Sequence, residues 1–299
     1  MRFGIIILPQ HDWPEAERYW RGAEECGFDH AWTYDHLSWR GLAGERWHAT
    51  LPTLTAAAMV TSRIRLGTFV ASPNFRHPVP FAKDIATLDQ ISGGRVVLGL
   101  GSGGTGFDSR VLGQPEYTPR QRLQRFTEFV RDLDRLLRFE TEGPLSFSGE
   151  WFTADGARMV GEPAQHPRMP FLIAADGERT MRLAARWGRG WVTTGGGAED
   201  REQWWARVAE LAGRIDDACA AEDRDPASVE RSLLLDGEHG YSLQSVAAFE
   251  DDVARAAGLG FTDVMAHWPR TSGLYAGDEA VLDTVAERLP GLRALSTPS

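Results

Sequence analysis

A chain of 299 residues is long enough for one large α/β barrel or two ordinary domains. Its 42% hydrophobic and 25% charged residues suit a globular protein with a sizeable core, and a formal net charge of −10 disfavours a nucleic-acid backbone or an anionic membrane as partner. The opening apolar run, MRFGIIILPQ, is broken by Pro9 and too short for a signal peptide. No run approaches the ~20 apolar residues that cross a bilayer, so a cytoplasmic protein is expected.

Short apolar runs, the mark of parallel strands buried on both faces, fall at 3–8, 30–34, 64–70, 96–100, 171–174, 190–194, 232–235 and 263–267. Amphipathic helices separate them. Gly93-Gly94 reads as the glycine stop of the helix after the third strand. Thr118-Pro119 reads as an N-cap with proline at the first helical position. Leu123, Phe126, Phe129, Val130, Leu133, Leu136 and Leu137 then recur at spacings of three and four, one stripe of a helix. Trp204, Val208, Leu211, Ile215 and Cys219 repeat that spacing, as do Val246, Phe249, Val253 and Ala256; Val281, Leu282, Val285 and Leu289 mark a last short helix.

Eight strand–helix units with no Pro/Ser-rich break between halves predict a (β/α)8 TIM barrel, a single domain over residues 1–299. Residues 142–170 are too long for an ordinary connection and hold 146–152 as a candidate hairpin. They read as an insertion after the fourth unit, and insertions of this length often carry function. Cys26 and Cys219 make no disulfide or metal pattern and read as small buried helix residues. His77, His166 and His239 lack metal-ligand spacing, so no metal is expected.

A βα barrel keeps its chemistry at the C-terminal ends of its strands. The second strand ends in Asp35-His36, a histidine able to exchange a proton near neutral pH beside a carboxylate. The fourth ends in Gly99-Leu100-Gly101-Ser102-Gly103-Gly104, which matches the dinucleotide fingerprint GxGxxG. That fingerprint belongs after a first strand with a helix directly behind it. Here Gly106, Pro115 and Pro119 delay the helix, so the glycines are read as a path for backbone along a flat ring. After the fifth strand, Gly177-Glu178-Arg179-Thr180 opens a helix whose free N–H groups suit a phosphate. Trp13, Trp39, Trp47, Trp151 and Trp268 lie in or near loops, where tryptophans fill a core or wall a planar ligand. Lys83 is the only lysine, so nearly every cation is an arginine.

Taken with Arg2-Phe3-Gly4, residues 23–29 (AEECGFD), 64–68 (IRLGT), 88–96 (LDQISGGRV) and 182–191 (RLAARWGRGW), these segments resemble the bacterial luciferase-like monooxygenase family, and within it the branch using the 5-deazaflavin coenzyme F420. The resemblance implies an F420-dependent oxidoreductase acting on a small organic substrate, with His36 transferring a proton or steadying the developing charge and Asp35 supporting it. It implies a non-proline cis peptide near Phe69-Val70, with Val70, Ser72, Gly101 and Gly103 along the ring. Ala174, Ala175, Gly177, Glu178, Arg179 and Thr180 would take the phosphate end, with Thr193 and Thr194 as neighbours. It also implies a homodimer. Two readings share these motifs: a monooxygenase using reduced FMN and oxygen, and a flavin-binding protein without turnover. One departure bears on substrate. Sugar-phosphate dehydrogenases of this kind carry a glutamate just after the fourth-strand glycines, where this chain has Gly104, and no basic cluster for a phosphosugar is evident.

Overall fold

The computed structural model of the protein describes residues 1–104, 107–138, 143–198 and 200–294. Gly106 and the first residue of the expected insertion, Glu142, lie outside the described residues. The strands are β1 (Arg2–Ile6), β2 (His30–Thr33), β3 (Arg65–Thr68), β4 (Val96–Leu100), β5 (Leu145–Ser148), β6 (Thr153–Ala157), β7 (Phe171–Ala174), β8 (Gly190–Thr193), β9 (Glu230–Leu234) and β10 (Asp263–His267). The helices are α1 (Trp13–Glu25), α2 (Thr50–Val60), α3 (Pro78–Ser92), α4 (Phe107–Val111), α5 (Pro119–Arg138), α6 (Glu178–Trp187), α7 (Arg201–Ala220), α8 (Val246–Gly258) and α9 (Glu279–Leu292).

Eight strands close into a barrel in the order β1, β10, β9, β8, β7, β4, β3, β2, and β5 and β6 form a separate antiparallel hairpin. The expected TIM barrel with an insertion after its fourth unit is therefore the fold, and the hairpin lies inside that insertion. Strands β2, β8 and β10 are buried at every position, as parallel strands covered on both faces must be.

The helix signals act as their chemistry predicts. Thr118 Oγ1 accepts from the Gln121 N–H, and Gln121 Oε1 accepts in return from the Thr118 N–H, a reciprocal cap ahead of Pro119. Below it Phe126, Phe129, Val130, Leu133, Leu136 and Leu137 are fully buried. Gly93 closes α3 in the left-handed region at φ 66°. Three expectations need correction. The last helix is not short: α9 runs 14 residues, through Pro290. A five-residue helix, α4, lies between the fourth-strand glycines and α5; prolines 115 and 119 delay only the long α5. Cys26 sits one residue past the end of α1 and is half-buried, whereas Cys219 is buried in α7.

The chain divides into two compact units: Met1–Leu8, Tyr19–Trp32 and Leu172–Ser299 form one, and Pro9–Arg18 with Thr33–Phe171 the other. In the first, the N-terminal ends of strands meet in an ion cluster. Arg2 grips both Asp263 oxygens, at 2.7 and 2.8 Å, and reaches Glu230 at 2.7 Å. The Trp32 indole, a donor only, gives its hydrogen to His30 Nδ1 at 2.6 Å, so the His30 proton sits on Nε2 and faces Asp263 at 3.1 Å. Thr262 Oγ1 donates to the same carboxylate at 2.6 Å. Burial pushes the Asp263 acid upward, but these donors outweigh it and hold it well below the usual carboxylate range.

In the second unit, β3 and β4 approach closely because position 99 has no side chain. A Cβ on Gly99 would sit 1.9 Å from the Thr68 carbonyl oxygen, while Thr68 Oγ1 donates to the Gly99 carbonyl at 2.7 Å. Gly99→Ala is expected to destabilise the protein by about 3 kcal/mol through overpacking, read as a lower denaturant midpoint.

Candidate functional site

Within the second unit, the chain leaving β2 carries Tyr34, Asp35 and His36. The strand ends at Thr33 and the chain bends at His36, and the two neighbours take different partners. Asp35 is fully buried and clasped by Arg76, at 2.6 Å to Oδ1 and 3.1 Å to Oδ2. The Arg76 guanidinium in turn lies over Phe75 at 4.5 Å and Phe81 at 5.2 Å.

His36 faces elsewhere. Its Nδ1 pairs at 2.7 Å with Oδ2 of Asp108, whose other oxygen accepts the Leu37 N–H at 2.7 Å. The carboxylate that supports His36 is thus Asp108 on α4, not Asp35. The Asp108 side chain is buried and that of His36 retains 17% exposure. With Nδ1 engaged, Nε2 is the ring nitrogen left without a partner among the described residues. The Trp47 indole donates to the His36 carbonyl at 3.0 Å, and the Trp39 ring lies 4.5 Å from the imidazole. Tyr34 sits among Trp39, Trp47 and Phe69. Trp39 and Trp47 therefore belong to one aromatic cluster around His36.

Beside this cluster, residues 70–74 run along residues 99–103. The Phe69–Val70 peptide bond is cis. Ala71 pairs with Leu100, and the Gly101 N–H donates to the Ala71 carbonyl at 2.9 Å. Ser72 is buried, with Oγ accepting from the Asn74 N–H at 3.4 Å, and Asn74 Nδ2 donates to the Gly103 carbonyl at 3.3 Å. Gly103 has φ 71°, and a Cβ there would meet Asn74 Nδ2 at 2.3 Å, so glycine is required. The segments that carry Val70 and Ser72 and Gly101 and Gly103 thus run side by side.

In the first unit, β7 and β8 present the other expected group. Gly177 is the N-cap of α6 with no side-chain cap, and Gly177, Glu178 and Arg179 are exposed. The Thr180 hydroxyl donates to the Gly177 carbonyl at 2.8 Å. Ala174 is half-buried and Ala175 buried, its carbonyl accepting from the Trp191 indole at 2.6 Å. Thr193 is turned inward: its hydroxyl donates to Asp176 at 2.6 Å and accepts from the Gly195 N–H at 2.9 Å. Thr194 is exposed, its Oγ1 accepting from the Gly196 N–H at 3.4 Å.

The same unit holds a buried cluster that sequence reading marked only as the end of the last strand. Asp236 accepts from the Ser242 N–H and hydroxyl through Oδ1, and from the His267 N–H through Oδ2, which also faces His267 Nδ1 at 3.1 Å. The His267 ring stacks on Tyr275 at 3.6 Å. Burial lowers the pKa of His267, and likewise of His239, against the pull of nearby acceptors. The folded state therefore resists protonation, and the unfolded state binds more protons below the ordinary histidine pKa of about 6.5. Stability is expected to be full above that pH and to fall as the pH is lowered through and below it. Urea melts at pH 7.5 and 5.5 check this (roughly one unit either side), and His267→Gln should flatten the difference.

Among the described residues no three His, Cys, Asp or Glu gather as a metal site, and no helix is long and apolar enough to cross a membrane.

Comparison with known proteins adds a family and relatives. The family model for luciferase-like monooxygenases matches residues 1–258. The chain is 34% identical over 191 residues to a 5,10-methylenetetrahydromethanopterin reductase of Archaeoglobus fulgidus, covering 64% of this chain and 52% of that protein. It is 34% identical over 227 residues to an F420-dependent glucose-6-phosphate dehydrogenase of Beutenbergia cavernae, covering 75% and 65%. These matches span between half and two thirds of the relatives' length. An F420-dependent secondary alcohol dehydrogenase solved with an F420–acetone adduct superposes with a TM-score of 0.81 at 18% identity, over 98% of this chain and 99% of that one. At that identity the likeness shows the fold.

Proposed function

We propose, for a chain that belongs to the luciferase-like monooxygenase family, that it is an oxidoreductase moving hydride between the deazaflavin coenzyme F420 and a small organic substrate. The observation that carries the reading is the His36–Asp108 pair. A buried carboxylate on Nδ1 fixes the imidazole tautomer, so Nε2 accepts a proton when the ring is neutral and donates one when it is charged. That is what a substrate carbonyl or hydroxyl needs as hydride arrives or leaves. Relatives at 31–34% identity that are F420-dependent enzymes support the choice of coenzyme.

The residues present suit such a group. Gly101 brings backbone without a side chain beside residues 70–72, and Gly103 makes room for Asn74, which holds the two segments together. The uncapped N–H groups of α6 and the exposed Arg179 suit a phosphate. We assign the ring to Val70, Ser72, Gly101 and Gly103, and the phosphate end to Ala174, Ala175, Gly177, Glu178, Arg179, Thr180 and Thr194. Thr193, engaged with Asp176, positions that acid instead. Asp35 acts through Arg76, which it fixes in place. When bound, the coenzyme supplies the hydride. His36 moves the proton, Asp108 orients it, and the Tyr34–Trp39–Trp47 cluster keeps water from the imidazole.

The same reading takes the protein as a single domain over residues 1–299, a homodimer of the cytoplasm with a small-molecule substrate. A second reading, oxygen chemistry with reduced FMN, follows from the family's own description. Anaerobic assays separate the two. Oxidation of reduced F420 by carbonyl or imine acceptors without oxygen supports the proposal; oxygen uptake that requires reduced FMN supports the second reading.

A further inference from the structure

Arg125 on α5 is only 9% exposed, yet it makes no hydrogen bond or ion pair with any described residue, and its Nη1 is buried without a partner. Its guanidinium lies over two rings, Tyr117 at 5.0 Å and Phe152 at 5.9 Å. Glu128, at i+3 on the same helix, would be the natural counter-charge. That carboxylate is already engaged, accepting the backbone N–H groups of Glu150, Trp151 and Phe152. A second donor stands in the same state. The Trp151 indole N–H is buried and unpartnered, and the Trp151 ring meets Tyr117 edge-on at 5.1 Å. Two orphaned donors, one of them a cation, thus flank a single aromatic ring.

A buried, unpaired cation is unfavourable in the folded protein, and buried polar groups are ordinarily satisfied. The arrangement makes sense if the missing partner arrives from solution. We propose that Arg125 and the Trp151 indole form a binding site for an oxyanion, the carboxylate or phosphate group of an organic ligand. A guanidinium presents a planar fork that matches such groups with paired hydrogen bonds, and aromatic walls that exclude water strengthen each one. Burial also weakens the cation's hold on its proton, a cost that an anion would relieve. The oxyanion comes either from the substrate or from a side chain of the coenzyme. The anion site stands independently of the hydride-transfer reading, while the choice between substrate and coenzyme as its source rests on that reading.

Thermal melts in sodium phosphate and in sodium acetate, each against sodium chloride at equal ionic strength, test it. The expected result is a saturable rise in Tm of about 2–4 °C beyond chloride with at least one of the two probes. The rise should vanish in Arg125→Met and shrink in Arg125→Lys and Trp151→Phe. No saturable rise in the wild type, or an equal rise in Arg125→Met, overturns the site. Should Arg125→Met not fold, an undiminished rise in both remaining variants overturns it equally. Titration with F420 then assigns the source. Coenzyme binding weakened tenfold or more in the arginine variants gives the oxyanion to the coenzyme; unchanged binding gives it to the substrate.

Discussion

Replacing His36 with glutamine is expected to lower turnover by about 10²–10⁴-fold, the usual contribution of a positioned acid–base group, while coenzyme affinity changes little. Glutamine keeps polarity near the ring but cannot cycle a proton at neutral pH. The paired variant is Asp108→Asn. An asparagine amide that donates to Nδ1 would force the imidazole proton onto Nε2, the wrong tautomer for accepting one there. Its loss should approach that of His36→Gln. Asp108→Glu should recover part of the rate, with the pH profile shifted. A purely structural Asp108 would instead lower stability and leave the pH profile of the remaining activity unchanged. Rates at saturating substrate across pH 5–9, spanning the ordinary histidine range of about 6.5, separate the two.

Asp263→Ala is expected to be among the most damaging substitutions for stability, at about 3 kcal/mol, the low end of the range for breaking a buried ion pair from one side, because Arg2 keeps Glu230 and a part-exposed position. The Asp263 side chain is 5% exposed and receives hydrogen bonds from Arg2, His30 and Thr262, so alanine strands the buried His30 donor and leaves Arg2 with Glu230 and Thr262 with the Arg231 carbonyl. Because the folded state holds this acid below its ordinary pKa, its contribution is present above that value of about 3.8 and is lost as the pH falls through the folded-state value. At pH 7 the whole loss should appear, as a Tm lower by on the order of 10 °C. Activity of the folded fraction should change little, since the cluster sits at the N-terminal ends of the strands, away from the proposed chemistry.

How far the sequence could be read depended on whether a signal was local. The eight barrel strands were legible because burial on both faces leaves continuous apolar runs, and α5 because Thr118, Pro119 and its apolar stripe agree. Helix α2 left no such mark: TLPTLTAAAMV is small and apolar nearly all round, so no periodicity rises above its background. The site divides in the same way. Glycines and turn residues at 99–103 and 174–180 advertise themselves by composition. Asp35-His36 reads as a pair, yet the chain bends at His36 and each side chain takes a distant partner. Arg76 and Asp108 lie 41 and 72 residues from the groups they hold. The one local hint for Asp108 was an acid in the first turn of α4, a helix so short that the prolines after it hid it. Arg125 was hidden by company, as one of several arginines along α5; only burial and the engagement of Glu128 set it apart.

The central claim, that this site takes a deazaflavin coenzyme, is tested most directly by titrating purified protein with F420 and with FMN side by side, following fluorescence. The account predicts saturable F420 binding at least tenfold tighter than FMN, a gap of about 1.4 kcal/mol. Equal or tighter FMN binding would contradict it and make the protein an oxygen-using flavoprotein.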